Sequence, residues 1–177
     1  MTFLRIEKEL PKDISPETDL LFCFKSDDFV PQCNFAENVG MDFKIDINRD
    51  YTLQQFEICK LPLGFKIAFP SGFELQIRPR SGLSLEGIVL VNSPATIDPS
   101  YRGEVNVIVS NISNAPVVLK PKQRICQGVI TSYFYFKQKP EHSYRICFIV
   151  NETIFDNWDS IFPSNRGRSG FGSTGVL

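Results

Sequence analysis

The stretch "FELQIRPRSGLSLEGIVLVNSPATIDPSYRGEVNVIVSN", residues 73–111, begins and ends with segments in which apolar and polar side chains alternate. An alternation with a period of two is typical of a β-strand that has one face in the core. The side chains that would share the buried face are Phe73, Leu75 and Ile77 in the first segment and Val105, Val107 and Val109 in the second. Glycines and prolines between the two segments predict tight turns. The stretch therefore indicates short strands joined by turns.

The rest of the chain continues this pattern. The segments "APVVLKP" (residues 115–121) and "ITSYFYF" (residues 130–136) are strand-like, and only "ETIFDNWDSIF" (residues 152–162) predicts a short helix or a turn. Many short strands with turn signals between them are typical of a sandwich or jelly-roll domain. No internal repeat and no linker divides the chain, so we expect one all-β domain with at most a short helix.

Composition excludes several classes of protein. The chain has 177 residues and a formal net charge of -1, with both signs interspersed. Without a basic run, we expect no nucleic-acid partner and no polybasic membrane patch. The beginning of the chain, "MTFLRIEKELPKDISPETDL", lacks the apolar core of a secretion signal, and no segment is apolar enough to span a bilayer. We therefore expect no contact with a membrane.

Cysteine and histidine usage narrows the chemistry. Five cysteines, never spaced as CxxC, predict reduced thiols rather than a disulfide framework or a zinc site. This favours a cytoplasmic or nuclear, reducing compartment. His142 is the only histidine, and its surroundings indicate a loop. Most Ser-His and Cys-His mechanisms and every multi-histidine metal site are thereby disfavoured.

The aromatic run at residues 133–136 has two interpretations. Four consecutive rings followed by Lys137 and Lys139 could form a stacking platform for bases. A strand buried on both faces, or one at a subunit contact, is the interpretation that we favour.

The segment "PRSGL" indicates a phosphate-binding turn. Pro79 ends a strand, and Ser81 and Gly82 can open a short helix with Ser81 as its N-cap. The first amides of a helix have no intrahelical acceptor and favour a phosphate oxygen. Arg80 adds a charged donor beside them.

The segment "IDPSYRG" contains a candidate catalytic carboxylate. Asp98 precedes a proline, which holds its backbone in an extended or turn conformation. Such an aspartate can orient and deprotonate a water that attacks phosphorus. The alternative is an Asx-turn that begins a hairpin. Tyr101 could present its ring to a sugar, or it could be a core aromatic with a satisfied hydroxyl.

The tail "SNRGRSGFGSTGVL", residues 164–177, has too few apolar side chains to offset its own ordering entropy. It is either a frayed end or a flap that becomes ordered over an anionic ligand. A phosphate-binding turn, a fixed carboxylate, an aromatic ring and this tail together describe a site for a nucleoside triphosphate.

With these motifs, the chain resembles the trimeric-type dUTP diphosphatases, whose five ordered motifs can all be placed in it. They are "VGMDFKID", "PRSGLS", "NSPATIDPSYRGEV", "RICQ" and "RGRSGFGSTG". The resemblance runs from about residue 40 to the C-terminus. It implies phosphate contacts at Arg80, Ser81, Gly82, Gln127, Arg166, Ser173 and Thr174. It implies uracil and deoxyribose contacts at Asn92, Ala95, Ile97, Tyr101 and Phe171.

The resemblance also implies the fold and the reaction. The fold would be a homotrimer of jelly-roll-like β-clip subunits, with each active site assembled from all three chains. Residues 1–163 would form the domain, with an extended N-terminal region at residues 1–39, and residues 164–177 would form a mobile flap. Asp98 would activate the water that converts dUTP to dUMP and pyrophosphate. Mg²⁺ would be carried by the triphosphate, with Asp42 contacting it through water.

This activity would keep uracil out of DNA and supply dUMP for dTMP synthesis. Arg166 would clamp the γ-phosphate, although Arg168 lies close enough in sequence to compete for that role. Two other functions stay open at this point. One is a dCTP deaminase of the same fold, and the other is a catalytically retired family member that senses nucleotides or binds a protein.

The chain departs from the family pattern in four respects, the last of which concerns two long stretches. The segment "SGLSLEGI" is one residue shorter than usual, and Phe43 replaces a leucine, which we interpret as a packing change. Ala95 replaces a glycine, which requires a negative φ at that position. The chain before residue 40 and the stretch between Gln127 and Arg166 are both longer than in the family.

Overall fold

A computed structural model describes residues 4–32, 38–133 and 144–170. These residues form thirteen β-strands, one 3₁₀ turn (Asp27–Phe29) and three α-helices of four or five residues. The strands are β1 (Leu4–Glu7), β2 (Asp19–Phe24), β3 (Met41–Lys44), β4 (Tyr51–Leu53), β5 (Ile58–Pro62), β6 (Phe65–Ala68), β7 (Phe73–Pro79), β8 (Ile88–Leu90), β9 (Ala95–Ile97), β10 (Asn106–Asn111), β11 (Val117–Leu119), β12 (Arg124–Ser132) and β13 (Arg145–Val150). The helices are α1 (Ser81–Leu85), α2 (Glu152–Asp156) and α3 (Trp158–Ile161). The predicted all-β, jelly-roll-like class is confirmed, with three one-turn helices rather than one.

The strands pair into four small sheets. Their orders are β1-β13-β2-β6, β3-β12-β7-β9, β5-β10-β8 and β11-β4. The alternation that predicted β7 is confirmed, because Leu75 and Ile77 are fully buried while Arg78 is exposed. Val107 and Val109 are buried in β10 in the same way. The strands therefore turn their apolar faces to a common core, as the period-two pattern predicts.

Phenylalanine rings fill the centre of the core. Phe43, the residue that replaces a leucine, is fully buried, and its ring centroid lies 4.2 Å from that of Phe65. Phe22 contacts both rings from β2. Offset aromatic pairs of this kind stabilise a core beyond the area that they bury. The substitution at position 43 is therefore accommodated by packing, as expected.

The two segments that the resemblance marks as longer than usual meet in one sheet. β13 runs parallel to both β1 and β2 and lies between them. Arg145 at the start of β13 binds Asp19 at 2.7 Å and Asp13 at 2.9 Å. The N-terminal extension and the later insertion thus stabilise each other, which no pattern in the sequence predicted.

A second, smaller core lies on the outer face of this sheet. Leu21 and Cys23 alternate with the main-core side chains of β2 and pack against α2 and α3. The indole Nε1 of Trp158 donates to the carbonyl of Ile67 at 2.9 Å. Helices α2 and α3, which we name the helical platform, are therefore fixed to the sheet. The C-terminal tail begins immediately after them. Among the described residues, no helix is long and apolar enough to cross a membrane.

Candidate functional site

The turn from β7 into α1 differs in one respect from the prediction. Ser81 is the first helical residue, and the N-cap is Arg80, whose φ of -92° and ψ of 132° continue the extended backbone of β7. No side chain caps the helix. The predicted N-cap role of Ser81 is wrong because the strand ends at Pro79 as expected, but the helix already begins at Ser81, one residue earlier than that role requires. The first-turn amides still have no intrahelical acceptor.

Arg80 belongs to a charged group that we name the arginine cluster, formed by Asp42, Arg80, Arg124 and Gln127. One carboxylate oxygen of Asp42 lies 3.0 Å from the Arg80 guanidinium and 3.4 Å from that of Arg124. Arg80 also donates to the main-chain carbonyl of Arg124 at 3.1 Å. The predicted phosphate and metal residues of three motifs are therefore brought together, and cationic donors surround a single carboxylate.

Gln127 joins the arginine cluster through the backbone. Its Nε2 donates to the carbonyl of Pro79 at 2.9 Å, directly before Arg80. A Cβ atom at Gly40 would lie 2.2 Å from Oε1 of Gln127, so a side chain at position 40 would require the Gln127 amide to move from this place. By contrast, a Cβ atom at Gly82 would have no neighbour within 4 Å. The surface beside the first turn of α1 is open in this chain.

The second group lines a cavity of about 160 Å³, which we name the tyrosine pocket. Its lining residues are Asn92, Ala95, Thr96, Ile97, Asp98, Tyr101, Asn106, Arg166 and Gly170. All described residues that the sequence assigned to base, sugar and catalysis are among them. Ala95 is the first residue of β9 and has the extended backbone of a strand, as its replacement of glycine requires. Phe171, Ser173 and Thr174 lie outside the described residues.

Tyr101 is held rigidly in this pocket. Its side chain is buried, and its hydroxyl donates to the carbonyl of Glu104 at 3.0 Å. Burial raises the pKa of Tyr101, so the hydroxyl stays protonated at neutral pH. A Cβ atom at Gly103 would lie 2.3 Å from that hydroxyl. Glycine at position 103 is therefore needed for the tyrosine to occupy its place.

Asp98 and Arg166 form an ion pair at the rim of the tyrosine pocket. The Arg166 guanidinium also lies 5.9 Å from the Tyr101 ring centroid, within the range of a cation–π contact. Arg168 points elsewhere, because it binds Asp159 of α3 at 2.5 Å. Of the two arginines that the sequence left in competition, Arg166 is the one in the pocket.

Arg102 lies directly behind the pocket and was missed by the sequence reasoning. Its side chain is 4% exposed and donates to the carbonyls of Phe162 at 2.8 Å and Pro99 at 2.6 Å, with longer contacts to those of Tyr101 and Ile67. A buried guanidinium that satisfies several carbonyls fixes the segments that carry them. Its position in "YRG", directly after the candidate residue Tyr101, was the only sequence signal.

Arg124 was also missed, for a geometric reason. In a regular strand, residues 124 and 127 point to opposite faces, because their separation is odd. β12 has a register shift between Arg124 and Cys126, and both Ile125 and Cys126 are buried. This bulge turns Arg124 towards Asp42. No residue-type signal indicates the bulge.

The tyrosine pocket and the arginine cluster lie at opposite ends of β7. Ile97 pairs with Leu75 near the beginning of the strand, whereas Arg80 follows Pro79 at its end. Leu75, the partner of Ile97, lies five residues before Arg80. At roughly 3.3 Å per residue, the two positions are about 17 Å apart along the strand. Asp98 and Arg80 of one chain therefore lie at different levels along β7.

Protein ligands for a metal are sparse. Across the described ranges, no group of three or more His, Cys, Asp or Glu side chains could hold an ion. Asp42 offers one carboxylate with two arginines beside it. Such a site fits an ion that arrives on an anionic ligand and keeps most of its water, as Mg²⁺ does.

Comparison with known proteins gives consistent results. The dUTPase family matches residues 30–175. The deoxyuridine 5'-triphosphate nucleotidohydrolase of Fusobacterium nucleatum is 35% identical over 147 residues, covering 82% of this chain and 89% of the relative. The protein of the same name from Rickettsia felis is 36% identical over 148 residues, covering 83% and 88%.

Solved structures agree on the fold. The dUTPase from Streptococcus mutans has a TM-score of 0.58 at 24% identity, covering 65% of this chain and 94% of its own. The dUTPase from phage phi11 of S. aureus has a TM-score of 0.58 at 17% identity, covering 70% and 97%. Taken with the matched residues and the two residue clusters, these similarities show that the chain belongs to the dUTPase family.

Proposed function

We propose that the protein hydrolyses dUTP to dUMP and pyrophosphate. The observation that carries this proposal is the tyrosine pocket, where Asp98 lies beside a buried tyrosine ring and an arginine. Relatives about 35% identical over most of the chain are named for this substrate.

The tyrosine pocket would hold the base and the deoxyribose. The short strand β9 presents backbone donors and acceptors with fixed positions, and Asn92 adds a side-chain amide. A base whose donors and acceptors do not match leaves buried polar groups unpaired, which costs more than a poor fit alone. Tyr101, fixed by its hydrogen bond to Glu104, would leave no room for a 2′-hydroxyl. Phe171 would cover the base.

The arginine cluster and α1 would hold the phosphates. Arg80, Gln127 and the first amides of α1, at Ser81 and Gly82, supply donors for phosphate oxygens. Mg²⁺ would be carried by the triphosphate, with Asp42 contacting it through water, and when bound it would withdraw charge from the phosphates. Ser173 and Thr174 would complete the contacts at the γ-phosphate.

Asp98 would act as the general base. Its carboxylate takes a proton from a water whose oxygen forms a bond to the α-phosphorus, while the bond to the bridging oxygen of the β-phosphate breaks. Pyrophosphate leaves with the electron pair of that bond, and the water oxygen stays on dUMP. Arg166, the neighbour of Asp98 in the free protein, would stabilise the charge on the leaving group.

A complete site would require more than one chain, and we propose a homotrimer with shared active sites. A general base works within hydrogen-bond reach of its water, about 3 Å. Asp98 and Arg80 lie at opposite ends of β7, so the Asp98 of one chain would act on a triphosphate held by the arginine cluster of another. Each oligomer with closed threefold symmetry would hold three such sites.

A panel of nucleotides tests the function. We expect pyrophosphate from dUTP in the presence of Mg²⁺, little without it, and little from dCTP, dTTP or UTP. Ammonia release from dCTP would instead assign the deaminase reaction. Tight dUTP binding without any turnover would assign a retired, nucleotide-sensing protein, and either result would overturn the proposal.

A further inference from the structure

Arg102, the buried residue that follows Tyr101, bonds to three parts of the chain at once. Its Nε donates to the carbonyl of Phe162, the residue after α3, at 2.8 Å. Its Nη1 donates to the carbonyl of Pro99 at 2.6 Å and to that of Tyr101 at 3.2 Å. A longer contact of 3.5 Å reaches the carbonyl of Ile67 in β6. One guanidinium therefore joins the end of the helical platform, a core strand and the loop that ends at Tyr101.

The Arg102 guanidinium is a buried charge whose described acceptors are all main-chain carbonyls. A buried charge is costly unless it is hydrogen-bonded, and a guanidinium stays charged in a protein. Burial accordingly lowers the pKa of Arg102. An apolar side chain of similar length could fill this space without that cost. What the guanidinium adds is a rigid fork of donors that fixes the direction of several carbonyls at once.

Two of these carbonyls lie in the segment from Asp98 to Tyr101, which we name the Asp98 loop. The amide of Tyr101 donates to the carbonyl of Asp98 at 3.0 Å, which closes the loop into a tight turn. Arg102 bonds to the carbonyls at the second and the last position of this turn, those of Pro99 and Tyr101. A shift of the guanidinium would therefore rotate the peptide groups that orient the side chains of Asp98 and Tyr101. Both of these side chains line the tyrosine pocket.

The helical platform is a firm support for the guanidinium. Trp158 is fully buried, and its ring centroid lies 4.6 Å from that of Phe162. The indole Nε1 donates to the carbonyl of Ile67, the same carbonyl that the guanidinium approaches. The ammonium of Lys66, which is also buried, donates to the carbonyl of Phe155 at 2.7 Å. These bonds hold the acceptor at Phe162 in a fixed place relative to β6.

We propose that Arg102 is a positioning residue, which links the Asp98 loop to the helical platform and thereby sets the carboxylate of Asp98 and the ring of Tyr101. This inference rests on the proposed function and extends it to a residue behind the tyrosine pocket. It also gives a role to part of the stretch between Gln127 and Arg166 that the resemblance marks as longer than usual, because α2 and α3 lie in that stretch.

A matched pair of substitutions tests the proposal. Arg102→Met and Lys66→Met each replace a buried cation, bonded to a carbonyl of the platform or of the residue after it, by an apolar side chain. Only Arg102→Met also releases the Asp98 loop. Below the melting temperature of both variants, we expect kcat for dUTP to fall by about 10- to 100-fold in Arg102→Met, because a small misplacement of a catalytic group has effects of this size. We expect no change in Lys66→Met, and equal kcat values for the two variants would overturn the proposal.

A double variant separates positioning from a general loss of structure. If Arg102 acts through Asp98, then Arg102→Met lowers the turnover of the parent protein but not the residual turnover of Asp98→Asn. A further fall by the same factor in the double variant would show that the effect does not pass through the carboxylate. That result would overturn the proposal.

Hydrogen exchange on the unaltered protein gives a readout that needs neither activity nor a folded variant. The amide of Tyr101 donates within the Asp98 loop, and the amide of Phe162 donates to the carbonyl of Trp158 at 2.9 Å. Because one guanidinium bonds both segments, we expect the two amides to open together as denaturant is added. Opening of the Asp98 loop while the platform stays closed would overturn the proposal. Joint opening in a protein that releases no pyrophosphate from dUTP would support the link through Arg102 and contradict the proposed function alone.

Discussion

The tyrosine pocket and the arginine cluster are held together in different ways. The pocket is supported from behind by buried groups, namely the Tyr101 hydroxyl bond and the Arg102 guanidinium. The arginine cluster consists of partly exposed side chains, with Arg124 58% and Asp42 28% exposed, and both contacts of its carboxylate are ion pairs. Exposed ion pairs contribute little to stability and rearrange readily. The comparison indicates a pocket preorganised for a neutral base and sugar, and a charged surface that adapts to phosphates and a metal ion.

The largest expected effect concerns chemistry rather than binding. Asp98→Asn keeps the shape of the side chain but removes the general base, so we expect kcat to fall by about 10³-fold. Titration calorimetry with dUTP would measure binding, which we expect to change little. If the variant lost binding as well as turnover, Asp98 would be needed to hold the ligand. The contrast between a tyrosine pocket for the base and sugar and an arginine cluster for the phosphates would then need revision.

Gly82→Ala probes the first turn of α1, beside the arginine cluster, without disturbing the fold. The added methyl group has no neighbour within 4 Å in this chain, so we expect an unchanged melting temperature. It would nevertheless obstruct a phosphate at the first turn of α1. Losing about 1.5–3 kcal/mol of charge-assisted hydrogen bonding lowers kcat/KM by roughly 10- to 100-fold. Full activity of the Gly82→Ala variant would mean that the phosphates do not bind at the first turn of α1.

Gly103→Ala is the matching change in the tyrosine pocket, and we expect the opposite pattern. The methyl group would overlap the Tyr101 hydroxyl, which has no room to yield because the side chain is buried. We expect a loss of about 1–3 kcal/mol in the free energy of unfolding, as for other overpacked sites. The ratio of kcat/KM for dUTP over UTP should also fall. An unchanged ratio would mean that Tyr101 does not select between deoxyribose and ribose.

The smallest expected effect lies beside the pocket, at Glu104. Burial raises the pKa of this carboxyl, whose oxygen accepts from the amide of Gly64 at 3.0 Å. An acid with a raised pKa in the folded state binds a proton more readily than in the unfolded chain. Its contribution to stability is therefore greatest at low pH and declines as the pH rises above its unfolded value, near 4.5.

Glu104→Gln keeps an oxygen acceptor and removes this titration. We expect the difference in melting temperature, variant minus parent, to become more positive between pH 4 and pH 7. A difference that does not change with pH would mean that Glu104 ionises equally easily in both states.

Local alternation in the sequence predicted the all-β class, and the resemblance to the family named most residues of the tyrosine pocket and of the arginine cluster, although it missed Arg124. Alternation placed Leu75 and Ile77 in the core, and the motif around Asp98 brought the pocket residues together. The partnership of β1 and β2 with β13 joins segments more than a hundred residues apart, and period-two patterns do not specify which strands pair. The bulge that turns Arg124 to Asp42 and the burial of Arg102 behind the pocket are likewise consequences of tertiary packing.

The central claim, that a water activated by Asp98 attacks the α-phosphorus, is tested most directly by hydrolysing dUTP in water enriched in ¹⁸O. Mass spectrometry of the two products locates the new oxygen. The account predicts ¹⁸O in dUMP and none in pyrophosphate, and no label transfer by the Asp98→Asn variant on the same timescale. Label in pyrophosphate would place the attack on the β-phosphorus and contradict the account.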